Sequence, residues 1–106
     1  MKIEVVNGEP TRMLEDVVKT NGKTFKRIIE GKNYYVYSEI KKDRDVNGDY
    51  GNFEIFLKTY KKKSKLDKNN EYTQIEHYPS TSEWGKIAWT YTQKKFLNKF
   101  IEKKFA

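Results

Sequence analysis

Tyr34-Tyr35-Val36-Tyr37-Ser38-Glu39-Ile40-Lys41 is the stretch that decides the fold class. Successive side chains of a strand point to opposite faces, so Tyr34, Val36, Ser38 and Ile40 share one side. Tyr35, Tyr37, Glu39 and Lys41 share the other. Aromatic and β-branched residues at period two are a strand signature. The pattern repeats outward. Thr24 to Ile29 reads as a strand, and Gly31-Lys32-Asn33 turns it. Phe53 to Tyr60 sets Phe53, Ile55 and Leu57 against Glu54, Phe56 and Lys58. Tyr72 to Tyr78 is a strand stopped by Pro79. After a turn over Ser80 to Gly85, Lys86 to Tyr91 carries Ile87, Trp89 and Tyr91 on one face.

At the N-terminus, Lys2 to Val6 is a short strand closed by Asn7-Gly8. From Thr11, the apolar residues Met13, Leu14, Val17 and Val18 suit one face of a short helix, with Asn21-Gly22 as its C-cap. The competing reading makes Asn21-Gly22 a tight hairpin turn between two strands. At the other end, Phe96, Leu97, Phe100 and Ile101 mark an amphipathic helix from about Gln93 to Lys104, with Thr92 as candidate N-cap. The expected fold is α+β: an antiparallel meander with the C-terminal helix, and the short N-terminal helix if it forms, packed on one face. The other face keeps Tyr35, Tyr37 and Phe56.

A length of 106 residues fits one domain, 1–106, with a modest core. The 16 aromatic residues offset an apolar content of 36%, because each ring buries a large area. There is no Cys, which removes disulfides and thiolate metal sites and suits a reducing compartment. No apolar run approaches the ~20 residues of a membrane span. The first six residues are too short and too acidic for a signal peptide. The expected location is the cytoplasm, with no membrane partner.

Charge is distributed one-sidedly. Residues 1 to 57 hold 10 basic and 10 acidic side chains; residues 58 to 106 hold 12 Lys against 5 acids, which is the whole net charge of +7. The basic half also carries Tyr60, Tyr72, Tyr78, Trp84, Trp89, Tyr91, Phe96, Phe100 and Phe105. Cations beside ring faces attract polyanions and give bases a surface to stack on. Two segments concentrate that character. Lys58, Lys61, Lys62, Lys63 and Lys65 lie in eight residues without an acid, with Tyr60 as the stacking candidate. Lys94, Lys95 and Lys99 lie on the C-terminal helix away from its apolar stripe. The bland readings are a solvated loop and lysines complementing the helix dipole.

Residues 43 to 54 fit the calcium-loop pattern D-x-[DN]-x-[DN]-G-x₅-E, with Asp43, Asp45, Asn47, Asp49 and Glu54 as oxygen donors. An EF-hand needs a helix on each side, and both flanks read as strands here. A polar hairpin loop is therefore preferred, and no metal or other cofactor is expected. Catalytic material is thin. His77 is the only His, and its neighbour Glu76 points to the opposite strand face. There is no zinc-ligand set, phosphate-binding glycine loop or nucleophile elbow, so no enzymatic activity is expected.

Asp49 to Ile55, and Tyr78-Pro79-Ser80 through Trp84-Gly85-Lys86-Ile87-Ala88-Trp89-Thr90-Tyr91, resemble small accessory proteins of phages and conjugative plasmids of low-GC Gram-positive bacteria. Size and the Lys, Tyr and Asn bias are similar to those of anti-CRISPR proteins, a class with no common motif. The resemblance implies a non-enzymatic inhibitor of a host nuclease defence. Many such inhibitors are acidic DNA mimics, and the charge of +7 departs from them. It implies instead contact with the guide RNA, or with a Cas9–guide RNA complex, inside the bacterial host cell. The alternative is a general DNA- or RNA-binding accessory protein of a mobile element, and the less favoured one a calcium- or magnesium-dependent module built on the 43–54 loop.

Overall fold

The computed structural model describes residues 1–41 and 50–105. The fold is α+β, as the periodicity indicates. Its centre is a five-stranded antiparallel sheet in the order β3-β4-β5-β6-β9, made of β3 (Val17–Thr20), β4 (Lys23–Glu30), β5 (Tyr34–Glu39), β6 (Tyr50–Leu57) and β9 (Ala88–Gln93). The first four form a meander, and β9 then returns antiparallel beside β6. Residues 58–87 make an excursion between them. It contributes β7 (Tyr60–Lys62) and β8 (Gln74–Glu76), which join the hairpin of β1 (Ile3–Val6) and β2 (Glu9–Arg12) in a second sheet, β1-β2-β8-β7. The β2–β8 pair is parallel.

No helix forms near the N-terminus. Residues 11–20 are the end of β2, a linker and β3, so the hairpin reading of Asn21-Gly22 is the correct one. Asn21 has φ 51° and Gly22 φ 76°, and Asn7-Gly8 repeats the pair at 52° and 80°. Two consecutive left-handed residues match the right-handed twist of a two-residue hairpin, which Asn-Gly adopts at low cost. The linker itself is held out of a helix by groups of both sheets. Leu14 N–H donates to Glu76 Oε1 at 3.0 Å, and Arg27 Nη2 donates to Leu14 O at 2.9 Å. Tyr37 Oη donates to Glu15 O at 2.6 Å, and Arg27 N–H donates to Asp16 O at 2.8 Å. Backbone groups satisfied in this way have nothing to gain from a helix.

The central sheet is covered on both faces. Helix α1 (Lys94–Phe105) follows β9 directly, so Thr92 is a strand residue and not its cap. Leu97 packs with Val36, Phe53 and Ile55, flanked by Ile29, Trp89, Tyr91, Phe100, Ile101 and Phe105. A bulge between Arg27 and Ile29 turns Ile29 toward this core. The opposite face is not an open aromatic surface. Tyr35, Tyr37 and Phe56 are fully buried with Phe25 and Ala88, beneath Leu14, Val18, Tyr78 and Trp84. The rings of Tyr37, Phe56 and Tyr78 lie 4.9 to 5.6 Å apart, mostly edge to face.

Glu76 joins the two sheets. It is 2% exposed, and its Oε1 accepts from Tyr35 Oη at 2.8 Å as well as from Leu14 N–H. Burial and this hydrogen bond hold the Tyr35 phenol far above its ordinary pKa. Tyr35→Phe keeps the ring and removes one of the two donors. It is expected to cost about 1–3 kcal/mol, the scale of leaving a buried charged acceptor short of a donor. Denaturant unfolding is the check. A loss below ~0.5 kcal/mol, the range of ordinary surface substitutions, would deny Glu76 this role.

Candidate nucleic-acid interface

The lysines expected to bind do not behave alike. Lys58 continues β6, and only 15% of its side chain is exposed. Its Nζ lies 3.3 Å from Glu30 Oε2 and 4.8 Å from the Tyr35 ring centre. It is a packed structural cation. Lys63 donates to Asn69 O and sits 5.7 Å from the Tyr72 ring centre, which closes the 63–72 loop on itself. Tyr60 is half-buried on β7 opposite Glu76, and burial first, then that carboxylate, raises its pKa. Its ring is only partly available for stacking. Lys61 and Lys62 are exposed on β7, and Lys65 is exposed in the loop beyond. The first basic segment is thus a strand of the second sheet followed by a folded loop, with Lys61, Lys62 and Lys65 as its open cations.

The second basic segment lies on α1, the layer covering the central sheet, so the two segments belong to different layers. Its geometry is sharper than the sequence suggests. Lys95, Lys99 and Lys103 follow one another at i, i+4 and i+8, which places them on one ridge about 6 Å apart along the axis. Beside them is Phe96. It was expected in the apolar stripe, yet it is 44% exposed because Leu97, Phe100, Ile101 and Phe105 already fill the core contact. Lys95 Nζ and Lys99 Nζ lie 5.0 and 5.9 Å from its ring centre. Phe96, Lys99, Phe100 and Lys103 form one wall of an open groove whose other wall is Thr90, Tyr91 and Thr92 of edge strand β9. None of Lys94, Lys95, Lys99 and Lys103 is in an ion pair among the described residues. Like charges at i, i+4 repel by a few tenths of a kcal/mol per pair. The ridge is therefore a set of uncompensated cations around an open ring. Lys95-Phe96 with Lys99 one turn on was the available sequence signal, and Phe96 was missed by assigning the ring to the core.

Other candidates have structural explanations. Asp43, Asp45, Asn47 and Asp49 lie outside the described residues. The flanks of that segment are strands β5 and β6, and Glu54 is a buried residue within β6. His77 gains partners that its sequence neighbours did not reveal: Thr59 Oγ1 at 3.2 Å and Glu83 Oε1 at 3.3 Å. Glu83 Oε1 also accepts from Ser80 N–H and Ser80 Oγ, each at 2.8 Å. The Ser80 hydroxyl is thus bonded to the carboxylate, and no serine contacts the imidazole. The arrangement closes the 3₁₀ turn Thr81–Glu83 onto β8.

Comparison with protein-family models, with curated proteins and with solved structures returns no match. Among the described residues, no helix is long and apolar enough to cross a membrane.

Two outcomes follow from this geometry. The Ser80 backbone N–H, then its hydroxyl, then His77 hold Glu83 down to about 2 from an ordinary 4.5. A depressed carboxylate contributes stability that is complete above 4.5 and lost as pH falls toward about 2. The melting temperature of the unaltered protein should therefore fall more steeply across that window than that of Glu83→Gln. Parallel profiles would show that the turn contributes nothing. Separately, Lys58→Ala should lower stability in denaturant unfolding by about 1 kcal/mol, since it loses both packing and a partly buried ion pair. Lys61→Ala and Lys62→Ala should stay within about 0.5 kcal/mol of the parent. Equal effects at all three positions would contradict the assignment of Lys58 as structural.

Proposed function

We propose that this chain is a non-enzymatic binding protein whose target carries nucleic acid. The α1 ridge follows the phosphates, and Phe96 stacks on an unpaired base. The observation that carries the reading is the 44% exposed Phe96 ring set between Lys95 and Lys99, with no acid among the described residues paired to either. Backbone neutralisation supplies affinity for any strand, and an open aromatic face adds stacking that a duplex cannot exploit. Lys61, Lys62 and Lys65 on the second sheet supply further positive surface.

The setting that goes with the anti-CRISPR resemblance is inhibition of a host nuclease defence, with a Cas9–guide RNA complex as the target. The excess of positive charge argues for contact with its RNA in preference to mimicry of DNA. A general nucleic-acid-binding accessory protein uses the same ridge and differs in one respect: it holds free RNA as tightly as the complex.

Anisotropy of a labelled single-stranded RNA tests the ridge. Phe96→Ala should weaken binding by about 1–3 kcal/mol with an unchanged salt slope. Changing Lys95, Lys99 and Lys103 together to Glu should abolish most affinity and reduce the slope of log K against log salt by about 2, at ~0.7 per single-strand phosphate. Retained affinity in the triple variant would remove the ridge from the interface. The same titration with guide RNA alone and with the Cas9–guide complex chooses between the settings. Tighter binding to the complex, with DNA cleavage suppressed, is the inhibitor outcome.

A further inference from the structure

A cleft of about 540 Å³ opens on the aromatic face of the central sheet, lined by Lys23, Asn52, Glu54, Tyr78, Trp84 and Thr90 among others. That volume lies within the ~300–1,000 Å³ range of small-ligand sites. Thr90 also lines the α1 groove, so the two concavities flank the same edge strand. At the floor of the cleft is Glu54, 8% exposed. Among the described residues its carboxylate has no ion pair, and the Tyr78 hydroxyl is the donor set against it. The Tyr78 hydroxyl lies beside it, buried and short of hydrogen-bond geometry. Burial raises the Glu54 pKa, with Glu39 adding to the shift and Tyr78 and Lys23 opposing it.

A buried carboxylate with one poorly aligned donor is unfavourable. The pair leaves acceptor capacity on Glu54 unused, and both groups line a cavity that a ligand can enter. Two carboxylate oxygens side by side call for two adjacent N–H donors. The rest of the lining narrows the class. Phe25, Tyr78 and Trp84 provide ring surface, and exposed Lys23 provides a cation. A flat heterocycle with a paired-donor edge and an attached anion satisfies all of these groups. Among the nucleobases, guanine alone presents two adjacent N–H donors, from its ring N1–H and its N2 amino group. Adenine and cytosine each set an acceptor nitrogen beside their amino group, and uracil sets its N–H between two carbonyls. Reading an extruded base by its pairing edge against aromatic walls is a general solution in proteins that take unpaired nucleotides.

We propose that this cleft is a guanine-selective nucleotide site, with the N1–H/N2–H₂ edge on Glu54, the ring against Tyr78 and Trp84, and the phosphate at Lys23. It rests on the nucleic-acid reading above and gives it a sequence preference: a strand on the α1 ridge that passes Thr90 places a guanine in the cleft. Calorimetric titration of the unaltered protein with guanosine, inosine and adenosine monophosphates tests it. Guanosine monophosphate should bind most tightly. Inosine monophosphate, which lacks only the N2 amino group, should be weaker by between about 5-fold and about 150-fold, the discrimination expected of one bidentate pair. Glu54→Gln, with cooperative melting verified, should lose that preference. Equal affinity for the three nucleotides, no binding of any at millimolar concentration, or a preference that survives Glu54→Gln would overturn the site. The comparison of nucleotides on the unaltered protein decides the matter even if the variant does not fold. Mononucleotides do not engage the α1 ridge as a strand does, so a negative result here leaves the RNA titration to stand or fall separately.

Discussion

The buried carboxylate of Glu76 is the constraint on which the architecture depends. The second sheet shares no long ladder with the central one, and its strands are three or four residues long. Short strands without a broad apolar face are marginal by themselves. Glu76 ties β8 to β5 through Tyr35 and to the 14–16 linker through Leu14. Arg27 and Tyr37 complete the clamp from the central sheet. One oxygen of Glu76, Oε2, and the Nε of Arg27 remain buried without partners. The joint therefore costs desolvation as well as contributing hydrogen bonds. Such an arrangement tolerates loss of a partner poorly, because what remains is an uncompensated buried charge.

This clamp also explains what was and was not legible in the chain. Strands β4, β5, β6 and β9 were legible from alternation, because each buries at least one face against a ring-rich core. Their order was not, since a simple meander would set residues 72–78 beside β6, where β9 lies. Residues 11–20 defeated the same logic. Met13, Leu14, Val17 and Val18 have helical spacing, but the linker's donors and acceptors are claimed by Arg27, Tyr37 and Glu76, none of them local in sequence. The second sheet was hidden for a related reason. Tyr60–Lys62 has a loop's composition and becomes a strand because β8 offers it a ladder. A single covered face was the natural expectation for one helix and one sheet. The excursion over residues 58–87 supplies the missing cover through Tyr78 and Trp84, so Tyr35, Tyr37 and Phe56 became core and not a surface.

Charge was legible in amount and not in use. The positive half was plain from the count, but counting treats Lys58, Lys63 and Lys61 as equals. The structure separates them by what surrounds each ammonium group. Lys58 has Glu30 and a ring, Lys63 has a backbone carbonyl, and Lys61 has solvent. The helix shows the opposite error. Its stripe holds one apolar residue more than its core contact can take, and the surplus, Phe96, emerges among lysines. An amphipathic pattern that is slightly too wide is a readable sign of an exposed ring.

Edge strand β9 brings these threads together. Its inner side completes the central sheet against β6, and the isolated bridge at Trp84 protects only its first residue, Ala88. An open edge invites pairing with other chains, and flanking lysines suppress it by repulsion. Lys99 and Lys103 stand beside Thr90, Tyr91 and Thr92 in the groove. On the proposed reading, the same charges that discourage another strand of protein attract a strand of nucleic acid, whose backbone is anionic throughout. On the far side of Thr90, the Glu54 carboxylate, without an ion pair among the described residues, lines an open cleft. In the proposed site, a positive ridge that is indifferent to sequence and a carboxylate that selects for paired donors are complementary requirements. On that reading the phosphates lie along α1 and at Lys23, away from Glu54, and a base turns inward.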